Sequence, residues 1–122
     1  MKPRLHIVSL KGERRMIRSL RLNIELKIDH YFFKIYSAAA QENVEVYVIE
    51  LNDTKYILTV KDSYINGKLS ERGSENDKSD KTEEFINNFL LQKKLYYTIR
   101  NNSKHRIKLL TLFGPIKQLG DD

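Results

Sequence analysis

The sequence predicts an α+β domain: an antiparallel sheet of five to six strands, with curling toward a barrel as an open alternative, and one amphipathic helix near residues 80–99. Three observations carry this reading. Leu20, Leu22, Ile24, Leu26 and Ile28 alternate with Arg21, Asn23, Glu25 and Lys27, which puts five apolar side chains on one face of a strand and would scatter them around a helix. Residues 44–51 and 55–60 are dense in Val, Ile and Tyr and are separated by Asn52-Asp53-Thr54, residues suited to a hairpin loop. Asp80 and Glu83 form a capping-box arrangement ahead of Phe85, Ile86, Phe89, Leu90 and Tyr97, which recur at spacings of three and four.

The elements follow in order. Leu5, Ile7, Val8 and Leu10 make a first strand closed by a turn at Lys11-Gly12-Glu13, and the alternating strand follows over residues 20–28. Asp29-His30 turns the chain into Tyr31, Phe32, Phe33, Ile35 and Tyr36, whose aromatic and β-branched content favours a strand. Positions 32, 35, 36 and 39 also fit one face of a helix capped by Asp29, which is the alternative there. After the 44–60 hairpin, residues 66–81 lose nearly all apolar character and read as a flexible acidic loop. The helix then begins at Asp80, with early acids and late lysines matching its dipole. Asn101-Asn102-Ser103 stops it, and residues 105–113 read as a last strand in which Ile107, Leu109, Thr111 and Phe113 alternate with Arg106, Lys108, Leu110 and Leu112. Gly114-Pro115 closes that strand, and residues 117–122 are expected to form a loose tail.

The chain of 122 residues is read as a single domain over 1–122, since a globule of this size buries roughly two thirds of its unfolded surface and two halves would each be too small. The absence of cysteine excludes a disulfide-stapled scaffold and any thiolate metal site, and it favours a cytoplasmic location. No apolar run approaches the roughly 20 residues of a membrane-spanning helix. The basic start, with only Ile7, Val8 and Leu10 as its apolar stretch, is not expected to be a signal peptide; an organelle presequence and an internal start at Met16 remain alternatives.

Catalytic motifs are not expected. The five glycines are too dispersed for a nucleotide-binding loop, no Gly-x-Ser-x-Gly elbow is present, and the acids at Glu75, Asp77, Asp80 and Glu83 lack calcium-loop spacing. His6, His30 and His105 are too far apart to suggest zinc, so no metal and no cofactor is predicted. Asp29-His30 offers a general-base pair on paper, but adjacency along a chain is not geometry, and a hairpin turn explains it.

Charge is the informative feature. The net charge is +6, and it is concentrated at the ends: residues 1–28 carry eight Lys or Arg against two acids, and residues 87–122 carry seven against two. Arg14, Arg15, Arg18 and Arg21 near the start, with Arg100, Lys104, Arg106 and Lys108 near the end, would merge into one positive face if the first and last strands were neighbours. That face would bind nucleic acid, DNA or RNA, without catalysis, with Tyr31, Tyr36, Tyr96 and Tyr97 as candidate stacking surfaces. The competing expectation is a protein-interaction or homo-oligomeric module that buries sheet edges, or Leu110 and Leu112, against a partner.

Overall fold

The computed structural model describes the backbone of residues 4–10, 13–72 and 80–120, with side chains described for 18–72 and 80–120. Five strands run as an antiparallel meander: β1 (Arg4–Leu10), β2 (Glu13–Ile28), β3 (Tyr31–Gln41), β4 (Val44–Leu51) and β5 (Thr54–Lys61). Two short strands, β6 (Tyr64–Ile65) and β7 (Ser70–Arg72), pair with successive stretches of the outer edge of β5. Three helices follow: α1 (Asp80–Ile86), α2 (Phe89–Arg100) and α3 (Arg106–Phe113). The sheet stays open rather than closing into a barrel, because β1 and the β6/β7 pair form its two edges.

Tight turns make the meander. Asp29, Glu42, Asn52, Asp53, Asp62 and Ser63 all adopt positive φ, so the turns from β2 to β3, β3 to β4, β4 to β5 and β5 to β6 each reverse on a residue in the left-handed region. Asn and Asp tolerate that region better than other side chains because they bond their own backbone. The β4–β5 loop is therefore the two residues Asn52 and Asp53, one shorter than expected, and Thr54 already belongs to β5.

The alternation in β2 is realised as expected, with Leu20, Leu22, Ile24 and Ile28 buried and Arg21, Asn23, Glu25 and Lys27 exposed. Tyr31, Phe33 and Ile35 of β3, Tyr47, Ile49 and Leu51 of β4, and Tyr56, Leu58 and Val60 of β5 complete the buried face. The helices cover it. Phe85 of α1 packs against Tyr31 and Phe33 with centroids 5.0 and 4.7 Å apart, and Tyr96 of α2 and Phe113 of α3 close on Tyr47. Burying such aromatic and branched side chains is the main stabilising contribution, about 1.5–3 kcal/mol for each that is fully withdrawn from water. No helix among the described residues is long and apolar enough to cross a membrane.

Three expectations are corrected. The single helix over 80–99 is two, because Asn88 leaves helical geometry at φ −114° and its side-chain oxygen accepts from Leu91 N–H at 3.1 Å, capping a new helix. Asn competes with helical hydrogen bonding in just this way and so favours caps over helix interiors. Of the stretch 105–113, residues 106–113 form α3 rather than a strand. A short run apolar on both parities fits either periodicity, and here Leu109 and Leu112, three apart, are buried while Ile107 and Leu110 are exposed. Gly114, at φ 79°, ends α3 with its N–H on Leu110 O at 2.7 Å. The stretch read as a loose tail is packed as far as Leu119, which is buried and donates its N–H to Tyr97 Oη at 3.1 Å. The expected acidic loop contains β7, and its residues 73–79 lie outside the described residues.

Candidate nucleic-acid interface

The basic residues singled out from the sequence whose side chains are described do not form one face. Arg14 and Arg15 sit in the part of β2 that pairs only with β1, opposite Ser9 and Val8; their side chains are outside the described residues. Arg18 is half-exposed and shares its strand parity with buried Leu20, which places it on the helix-covered side. Arg21 is exposed on the opposite side. Lys104 and Arg106 are exposed and Lys108 is half-buried around the start of α3, within the helical layer. The condition for a merged face, neighbouring first and last strands, is not met, because the last element is a helix.

Arg100 has a different fate. It is 1% exposed, with Nε 3.3 Å from Glu45 Oε1, while its Nη2 donates to the carbonyls of Gly114 at 2.6 Å and Pro115 at 3.1 Å. Tyr47 Oη donates to Glu45 Oε1, and Tyr96 Oη donates to Oε2 at 3.0 Å, so both carboxylate oxygens are satisfied. Burial, reinforced by the neighbouring carboxylate, holds the Tyr47 hydroxyl well above the usual tyrosine range, so it remains a donor. Arg100 thus ties α2 to β4 and to the turn after α3, with its side chain withdrawn from the surface.

Of the three histidines, the His6 side chain lies outside the described residues, and the other two resolve. Asp29 is bonded to Lys94 at 3.2 Å, and the His30 ring lies 4.1 Å from that of Tyr31, so the adjacent pair forms no acid–base couple. His105 is buried, with neither ring nitrogen hydrogen-bonded; burial first, then Lys104 and Lys108, holds its pKa below 6.5. Among the described residues no cluster of His, Asp and Glu could hold a metal ion.

A different cationic site lies on the open face of the sheet. In β2, Leu22 and Asn23 span the space that Tyr36 alone spans in β3, and Tyr36 is itself an extra residue relative to β4. These adjacent bulges bend the sheet and re-aim the Tyr36 ring. The hollow they leave has a volume of about 520 Å³ and is lined by Arg21, Leu22, Tyr36, Ser37, Val48, Lys55 and Arg72. Its floor is the cross-strand row of Arg21, Ser37 and Val48, and Lys55, paired with Arg72, flanks it from the neighbouring row. Lys55 Nζ lies 4.6 Å from the centre of the Tyr36 ring, and Tyr36 Oη donates to Glu50 at 2.7 Å. That bond and the nearby charge of Glu50 push the Tyr36 pKa up.

Beside the hollow runs a ladder of alternating sign, Glu25 opposite Lys34, Lys34 opposite Glu50 and Glu50 opposite Lys55. Lys55 belongs to both, standing opposite Glu50 in the ladder and lining the hollow, whose described lining contains three cations, Arg21, Lys55 and Arg72, and no carboxylate. Phe32, 57% exposed, presents a second aromatic surface on the same side of β3, next to Lys27. A further hollow of about 410 Å³ lies between the β3–β4 and β5–β6 turns, where Glu42, Glu45 and Asp62 face a single cation, Lys117, a lining that disfavours phosphate.

Of the predicted basic residues whose side chains are described, Arg21 alone lines the cationic hollow. Lys55 and Arg72 were missed because they sit in acidic or neutral stretches of sequence, and Tyr36 was recognised as an aromatic without its bulge. Leu112, expected as part of an interaction surface, is buried, while Leu110 and Ile107 are exposed at 45% and 70%. No protein-family model, no curated protein and no solved structure matches this chain.

Proposed function

We propose that the protein binds single-stranded nucleic acid, without catalysis, across the open face of its sheet. The observation that carries this reading is the bulged hollow, in which Arg21, Lys55 and Arg72 surround a floor of Ser37 and Val48 beside the Tyr36 ring. Phosphates of a strand crossing the sheet neutralise the three cations and release counterions, and bases stack on Tyr36 and Phe32. A broad open sheet bearing aromatic side chains favours unpaired bases, because a duplex keeps its base faces stacked inside.

The test is fluorescence anisotropy of labelled single-stranded RNA, single-stranded DNA and duplex DNA, each titrated from low to physiological salt. Expected is binding that is strongest for single strands and weakens linearly in log–log form with salt. Arg21→Ala/Lys55→Ala/Arg72→Ala should reduce the salt slope by about three, roughly one for each phosphate left without its cation. Lys104→Ala/Arg106→Ala, on the helical side, should change little. Binding no tighter than that of an unrelated protein of equal pI overturns the reading.

A further inference from the structure

A second opening lies one step along the same face. Along the outer edge of β5, β7 pairs with residues 55–57 and β6 pairs with residues 60–61, so Leu58 and Thr59 have no ladder partner in the gap between them. A slot of about 300 Å³ fills this gap, walled by Ile57, Ile65 and Leu69, with Thr59 and Tyr64 at its sides and Lys61 and Lys68 at its mouth. Its described lining contains two cations and no carboxylate.

Gln92 of α2 also lines the slot, and it is 1% exposed. Its Nε2 donates to the carbonyls that end α1, Ile86 at 2.6 Å and Phe85 at 3.5 Å, while its Oε1 has no hydrogen-bond partner. The orientation of the amide follows from those carbonyls, since the flipped amide would set oxygen against oxygen. A buried acceptor left empty at the base of an opening is a group that a ligand donor can satisfy. Tyr64 is half-exposed and lies nearly parallel to Phe89, 27° apart with centroids 6.5 Å apart, so it offers a flat aromatic wall.

From this geometry we infer that the slot takes one amino-bearing nucleobase, adenine or cytosine, from the strand lying on the open face. The exocyclic amino group donates to Gln92 Oε1, the ring lies among Ile57, Leu69 and Tyr64, and Lys61 and Lys68 meet the flanking phosphates. Uracil is disfavoured because its N3–H is recessed between two carbonyl oxygens, which would present lone pairs to the same acceptor. The register links the two sites: Ile57 of the slot sits opposite Val48, on the floor of the cationic hollow, and opposite Ser70. The inference rests on the proposed nucleic-acid function and adds its base preference.

The experiment compares fluorescein-labelled A12, C12 and U12 RNA by anisotropy at one fixed salt concentration, using the wild type, Gln92→Met and Ser70→Phe. Ser70 is exposed at the rim, so the phenylalanine fills the slot without disturbing the core and serves as the second variant if Gln92→Met melts early. The expected result is that A12 or C12 binds about tenfold or more tightly than U12, with the advantage lost in both variants and U12 affinity unchanged. Equal wild-type affinity for all three, or a preference that survives in both folded variants, overturns the base slot and leaves the open-face reading standing. No binding to any of the three overturns both.

Discussion

Glu45 and Arg100 form an ion pair inside the protein, Oε1 to Nε at 3.3 Å, with both residues almost completely buried. The pair is tolerated because its environment is polar where it must be: two tyrosine hydroxyls donate to the carboxylate, and two backbone carbonyls accept from the guanidinium. Removing one partner leaves the other charged and unpaired in a low-dielectric interior. Arg100→Met should therefore cost about 3–5 kcal/mol of stability. Glu45→Gln/Arg100→Met should cost less than the two single changes added together, and urea denaturation of the four proteins measures the difference.

Tyr36 separates stacking from charge. Tyr36→Ala removes an aromatic platform and no cation, so it should weaken single-strand binding by about 1–3 kcal/mol while leaving the salt dependence unchanged. Anisotropy titrations at several salt concentrations read both quantities. A changed slope with unchanged affinity at low salt would contradict the assigned role.

His105 should make stability depend on pH. Its folded-state pKa is held below 6.5, chiefly by burial, so in mildly acidic solution the unfolded chain binds more protons than the folded one. Its contribution is then fully present above pH 6.5 and is lost as pH falls through the depressed folded-state value. The unfolding free energy measured from pH 7.5 down to about 5.5 should decline, and His105→Leu should flatten that decline.

The break between α1 and α2 depends on one side chain. Asn88→Ala removes the acceptor for Leu91 N–H and should lower the unfolding free energy by about 1 kcal/mol, while Asn88→Asp retains the acceptor and should be close to neutral. Thermal melts of both variants compare the effects directly.

Much of the sheet was legible because strand signals are local. The alternation from Leu20 to Ile28 and the left-handed turn residues Asn52 and Asp53 act within a few positions of themselves, and the structure keeps both. The helical region was read less well. The Asn87-Asn88 break lies inside a continuous apolar repeat, and residues 105–113 are apolar on both parities, so their state depends on what they pack against. The candidate site was less legible still. Its cations, Arg21, Lys55 and Arg72, come from three separate strands and meet only through the register of β2 to β5 and β7.

By itself, then, the sequence determined the α+β class, the antiparallel strands with their hairpin turns, the start of the helical region at Asp80 and the excess of positive charge. Each follows from periodicity, turn chemistry or composition over short spans. Only the tertiary structure decided that Arg100 is buried against Glu45, that Lys104 and Arg106 lie on the helical side, and that Arg21 shares a hollow with Lys55 and Arg72. The physical reason is that a side chain's exposure and its partners are set by which face of the sheet it occupies and what covers that face. Those are relations between residues distant along the chain, which no local pattern encodes.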